Sequence, residues 1–136
     1  MNSPGSWTMI PMNRIIRTLV VDDSPVLRQS LRRFLEDRGP FQVVAEEAGA
    51  EAVVESAVRE KPDLVVIDVK MPGADVWSIV RTIKALPDAP KVVILTLEDD
   101  GMTRGSALDA GADATCGKQR AWEDLLPMLV NLFPGA

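Results

Sequence analysis

Five side chains in this chain have the types and spacing to do chemistry together: Asp22, Asp23, Asp68, Thr96 and Lys118. The adjacent acids stand in "RTLVVDDSP" (17–25), directly after an apolar run. Two like charges about 4 Å apart repel by roughly 4 kcal/mol at an effective dielectric of about 20. A run that looks buried and ends in two carboxylates therefore implies a compensating charge. Asp68 and Thr96 close two further apolar runs, and Lys118 follows a weaker one. If these runs are neighbouring parallel strands, three carboxylates, a hydroxyl and an ammonium gather on one edge. Three converging carboxylates leave one protonated or recruit a cation. The chain has no histidine and a single cysteine, Cys116, so only oxygen ligands are on offer. Magnesium is the natural occupant, with manganese its substitute, held by one or two carboxylates, waters and a substrate phosphate.

The elements that must position these groups follow from the hydrophobic pattern. Strand-length runs recur at "IIRTLVV" (15–21), "FQVVAE" (41–46), "DLVVID" (63–68) and "KVVILT" (91–96), with a weaker one at "DATCG" (113–117). Three of the first four are nearly continuous in Val, Ile and Leu, which suits parallel strands covered on both faces. Helical spacing separates them. Leu27, Leu31, Phe34 and Leu35 share one face of a helix that Pro25 opens with Ser24 as its cap, and Gly39 and Pro40 stop it. Val53, Val54, Ala57 and Val58 mark a second helix, closed by Pro62. Val76, Ile79, Val80 and Ile83 mark a third, ended near Pro87. The fourth, about 100–110, is weakened by Gly101 and Gly105. Leu125, Leu126, Leu129, Leu132 and Phe133 give the last. Strict alternation predicts one α/β domain: an open parallel sheet with helices on both faces. Its expected strand order is 2-1-3-4-5, with strands 1 and 3 at the switch point where ligands bind.

Composition narrows the function. A net charge of −5 argues against direct nucleic-acid binding, which needs clustered Lys and Arg. No apolar run reaches the length of a membrane span. Without histidine the chain supplies no histidine base, no histidine-ligated metal and no phosphohistidine of its own. One cysteine forms no internal disulfide and fits a reducing compartment, so the expected location is the cytoplasm. Residues 1–13 lack a basic region, and Pro4, Gly5 and Pro11 break their apolar residues. They read as a flexible tail rather than a signal peptide, with Trp7 loose or resting on the domain.

Taken singly, each site residue has a plainer role: an acid at a helix start, a turn residue at Asp68, a helix cap at Thr96, a solvated lysine at Lys118. Their joint placement at successive strand ends is what sets them apart. In "VVDDSP" (20–25), "LVVIDVKMPGAD" (64–75), "VVILT" (92–96) and "ALDAGADATCGK" (107–118) the chain resembles the receiver domain of two-component response regulators. The resemblance spans nearly the whole chain and implies a flavodoxin-like receiver domain over 14–134. It implies that Asp68 accepts a phosphoryl group from a phosphohistidine on a sensor histidine kinase or a histidine phosphotransfer protein. Asp22, Asp23, Asp68 and the carbonyl of Lys70 would hold magnesium, and Thr96 and Lys118 would contact the phosphoryl oxygens. A carboxylate nucleophile needs such neutralisation by metal and ammonium. Beyond self-phosphorylation and slow hydrolysis, no enzyme activity is implied. Output would pass to an effector protein or a fused output domain. Only three residues follow Phe133, so the expectation is a stand-alone receiver or the amino-terminal piece of a longer regulator.

Several positions depart from the family pattern. Val76 stands where glycine is usual, Leu97 where a small residue follows the threonine, Thr115 where an aromatic rearranges on activation, and Gln119 where proline often follows the lysine. Lys70 adds a cation near Asp68. None removes a chemical group. Leu97 is expected to restrict access to Asp68, and Thr115 to limit transmission of the signal. The alternative function is a receiver-fold binding module that recruits a partner regardless of phosphate. An aspartate-nucleophile phosphatase is disfavoured because Asp-x-Asp and a cap domain are missing. An FMN binder is disfavoured because the first loop holds two anions where phosphate donors are needed. A P-loop NTPase is disfavoured because Gly-x-x-x-x-Gly-Lys is missing.

Overall fold

The computed structural model describes residues 14–70, 75–97 and 101–134. The expected tail over 1–13, including Trp7, lies outside the described residues, as does the start of the segment after Lys70. Five strands, β1 (Ile16–Val21), β2 (Phe41–Glu47), β3 (Leu64–Asp68), β4 (Lys91–Thr96) and β5 (Ala114–Gly117), alternate with five helices. These are α1 (Pro25–Arg38), α2 (Val53–Glu60), α3 (Val76–Lys84), α4 (Gly101–Ala110) and α5 (Ala121–Leu132). The strands are parallel and run in the order β2-β1-β3-β4-β5, as the alternation predicts.

The unbroken apolar strands are explained by two cores. Val66 of β3 packs with Val20, Leu31, Leu35, Leu125 and Leu129 toward α1 and α5. Its neighbours Val65 and Ile67 pack with Leu19, Val53, Val80, Ile83 and Ala107 toward α2, α3 and α4. Each such side chain contributes about 1.5–3 kcal/mol on burial, so a polar residue on either face of β3 would be costly. Ser24 caps α1 by accepting the Leu27 N–H at 3.2 Å, with Pro25 in its first turn. Asp75 caps α3 by accepting the Ser78 N–H at 3.2 Å.

Two details of the helices differ from the pattern. On α2 the buried residues are Val53, Ser56 and Ala57, and Val58 is half-exposed. In so short a helix only the 53–56–57 stripe faces the sheet, and Val58 is carried around the side. The second is Pro127, seated inside α5. A mid-helix proline costs about 3 kcal/mol or more, and Leu125 and Leu129, fully buried on either side of it, offset that cost.

Register sets the strand ends. β1 pairs with β2 from Ile16↔Phe41 to Thr18↔Val43 and then skips to Leu19↔Ala45, leaving Val44 as a bulged residue. At the opposite end of the sheet from Asp68, Lys84 Nζ donates to the Pro90 carbonyl at 2.8 Å and to Asp113 Oδ2 at 2.9 Å. The same Asp113 oxygen accepts the Val92 N–H at 2.8 Å. This latch ties the starts of β4 and β5 to the end of α3. Asp113→Ala leaves the buried Val92 N–H unpaired and takes from the Lys84 ammonium its counter-charge, and is expected to cost about 1–3 kcal/mol. Asp113→Asn, which keeps an acceptor, is expected to cost less. Urea denaturation measures both, and an unchanged midpoint for Asp113→Ala would show that the latch is idle.

Candidate functional site

The carboxyl ends of β1, β3, β4 and β5 meet at one edge of the sheet. Asp22 follows β1 directly and is fully buried, while Asp23 beside it is exposed. The Asp22 backbone is held on both sides: its N–H donates to the Glu47 carbonyl at 3.1 Å, and its carbonyl accepts from Arg28 Nη1 at 2.7 Å. Its Oδ1 accepts the Ser24 N–H at 2.9 Å. Asp68 ends β3 and is buried. Its Oδ1 accepts the Lys70 N–H at 3.0 Å, and its Oδ2 accepts from Lys118 Nζ at 2.8 Å. Lys118 opens a 3-10 turn, Lys118–Arg120, that leads from β5 into α5. Its Nζ also lies 3.4 Å from Asp22 Oδ2, an ion pair rather than a hydrogen bond. Thr96 ends β4 opposite Gly117, and its buried hydroxyl has no hydrogen-bond partner among the described residues.

One carboxylate oxygen from each of Asp22, Asp23 and Asp68 lies within 4.8 Å of the others. Oxygen-only donors at that spacing fit a hard divalent cation such as magnesium or manganese. Asp22 Oδ2, ion-paired to Lys118 but without a hydrogen bond, is the atom such an ion would satisfy. The Lys118 ammonium and the Thr96 hydroxyl are donors that suit an anionic group placed against Asp68.

Comparisons with known proteins identify the family and the fold. Residues 18–130 match the family model of the response regulator receiver domain. The chain belongs to that family. Response regulator MprA of Mycobacterium leprae is 39% identical over 118 residues, covering 87% of this chain and 51% of the relative. This receiver thus spans about half the length of the curated relatives it matches. Among solved structures, a LuxR-family two-component response regulator from Aurantimonas has a TM-score of 0.81 at 28% identity, covering 88% of this chain and 85% of that one. The response regulator domain of Thermotoga maritima CheB has a TM-score of 0.75 at 25% identity, covering 88% and 93%.

The receiver's five sequence-identified residues come together, and their plainer roles are met only in part. Asp68 does serve as a turn residue through Lys70. Neither Asp22 nor Asp23 caps α1, because Ser24 does. Among the described residues the Thr96 hydroxyl caps nothing, and Lys118 is paired rather than solvated. Leu97 is half-exposed at the exit of β4, and Thr115 is half-buried on β5. Sequence reading missed Arg28 and Glu46, which are joined at 3.3 Å behind Asp22. Neither carried a motif.

Burial raises the Asp22 carboxyl above its ordinary 3.8; the Ser24 N–H and Lys118 oppose this, and the Asp68 charge adds to it. Burial pulls Lys118 down, but its hydrogen bond to Asp68 and the charges of Asp68 and Asp22 prevail, so it is raised. The folded chain therefore keeps the Asp22 proton over a window, beginning near 3.8, in which the unfolded chain has lost it. Stability from this group falls as pH rises through that window, and the ionised carboxylate is a standing cost at neutral pH. In chelator at pH 7, Asp22→Asn is expected to melt a few degrees above the parent, and the gap should close toward pH 4. Thermal denaturation across that range checks this. A variant less stable than the parent at pH 7 would mean that the Lys118 ion pair outweighs burial.

Proposed function

We propose that this receiver accepts a phosphoryl group on Asp68 from a phosphohistidine of a separate sensor kinase or phosphotransfer protein. The observation that carries the reading is the buried Asp68–Lys118 pair at 2.8 Å, set beside Asp22, with Thr96 ending the neighbouring strand. Oδ2 of Asp68 is covered by the ammonium in the resting site. Lysine is a compact point charge on a flexible stem, so it can shift from that oxygen to a phosphoryl oxygen as the P–O bond forms and the donor's P–N bond breaks. The Thr96 hydroxyl then donates to a second phosphoryl oxygen. Asp22, Asp23, Asp68 and the Lys70 carbonyl would hold magnesium or manganese, which supplies charge neutralisation at the transferring group.

On this reading the chain is a switch or relay, not a turnover enzyme. Its partners are the phosphodonor and an effector or output domain, the latter supported by relatives about twice its length. No described helix is long and apolar enough to cross a membrane, in keeping with a cytoplasmic role. A second reading, recruitment of a partner regardless of phosphate, is favoured by the atypical residues Val76, Leu97, Thr115 and Gln119; at Thr115, β5 carries no large ring to swing on activation. One experiment separates the two. With acetyl phosphate and magnesium, the parent should gain a single base-labile phosphoryl group, and Asp68→Asn should gain none while melting as a folded protein. Labelling that survives the substitution would move the nucleophile elsewhere, and no labelling of the parent would favour the binding module.

A further inference from the structure

Behind the acids lies a second layer that none of the sequence motifs announces. Arg28 reaches the Asp22 carbonyl with Nη1 at 2.7 Å and Glu46 Oε1 with Nε at 3.3 Å. The other Glu46 oxygen accepts from Arg32 Nη1 at 2.7 Å. Arg28 and Glu46 are largely buried, their side chains 17% and 23% exposed. Resting on the site proposed above, we propose that Arg28 is a positioning residue that fixes the Asp22–Asp23 turn for cation binding, with Glu46 as its anchor.

The bulge in β2 is what makes the anchor available. Phe41 and Val43 pack into the core facing α1 and α5, whereas Ala45 packs against the core on the other face. With an unbroken register Glu46 would pair with Val21 and point toward α2. The extra residue, Val44, pairs Glu46 with Val20 instead and turns it toward α1. Bulges near functional sites commonly re-aim a side chain in this way. This one is held by α1 as well: Glu36 Oε2 accepts the Val43 N–H at 2.9 Å, and Arg32 Nη2 lies 3.4 Å from the Val43 carbonyl. Arg28, Arg32 and Glu36 are spaced four apart and form one stripe of the helix.

Arg28 touches a carbonyl and no reacting atom, so its effect on the site runs through the orientation of the Asp22 peptide. With the N–H tied to Glu47 and the carbonyl to Arg28, the Asp22 carboxylate keeps a fixed origin facing Asp23 and Asp68. Only a guanidinium meets the carbonyl and the Glu46 carboxylate at once in a planar fork; a lysine offers a point charge.

Arg28→Gln, Arg28→Lys and Glu46→Gln in the full chain test this. The first readout is the magnesium concentration that half-saturates the rise in thermal midpoint. It should increase about tenfold for both Arg28 variants, as loss of an outer partner of a metal site commonly does, and less for Glu46→Gln. The second is amide exchange of residues 22–24 in chelator, which should quicken in all three variants. A merely structural residue would lower the midpoint at every magnesium concentration and leave half-saturation unchanged; that result would overturn the proposal, as would unaltered exchange at 22–24. If Arg28→Gln does not fold, Glu46→Gln decides on the same two readouts. A parent indifferent to magnesium would sink the metal reading alone, because the exchange measurement still decides whether Arg28 fixes the turn.

Discussion

The buried contact of one ammonium with two carboxylates is the constraint on which the rest of this structure depends. Asp68 and Asp22 are both lost to solvent, and like charges so placed cannot both stay ionised without a cation among them. Lys118 supplies it at 2.8 Å and 3.4 Å. Its position is exact only because β5 pairs with β4 and β4 with β3, so that Asp68, Thr96 and Lys118 arrive at the edge together. A parallel sheet ends all its strands in one direction, which is why five residues spread over ninety-odd positions of chain become neighbours.

That compensation is incomplete, and the incompleteness is what suits the site to its proposed chemistry. One ammonium shared between two acids leaves Asp22 raised by its burial. It also leaves the Thr96 hydroxyl and one Asp22 oxygen without hydrogen-bond partners. Buried polar atoms in that state are costly. A divalent cation at the acids would offset the excess negative charge and give Asp22 Oδ2 a partner, and an anionic group against Lys118 would give the Thr96 hydroxyl one. The resting fold thus holds the site short of electrostatic balance, and the latch of Lys84 with Asp113 at the far end of the sheet keeps the strands in register while it does so.

Sequence alone made the sheet legible because β1, β3 and β4 are nearly continuous apolar runs and several helices carry their own start or stop, such as Ser24 with Pro25 and the break at Gly39. The five site residues were legible because each directly terminates or follows a strand. What stayed hidden depends on tertiary context. Nothing in "FQVVAEE" distinguishes a regular strand from one bulged at Val44, so the face on which Glu46 lands could not be read, nor its pairing with Arg28. Val58 looked like core because hydrophobicity says nothing about how narrow the covered stripe of an eight-residue helix is. The last helix was read from its apolar spacing alone, and it forms through Pro127 because Leu125 and Leu129 are buried on either side.

On the proposed function Asp68 is the nucleophile of this edge, served by Lys118 and the neighbouring acids. Borohydride reduction of the acetyl-phosphate-treated protein converts an aspartyl phosphate to homoserine, and peptide mapping then locates the altered residue. The account expects homoserine at position 68, dependent on magnesium. Homoserine at position 22 or 23, or unaltered peptides from a protein that carries the phosphoryl group, would contradict it.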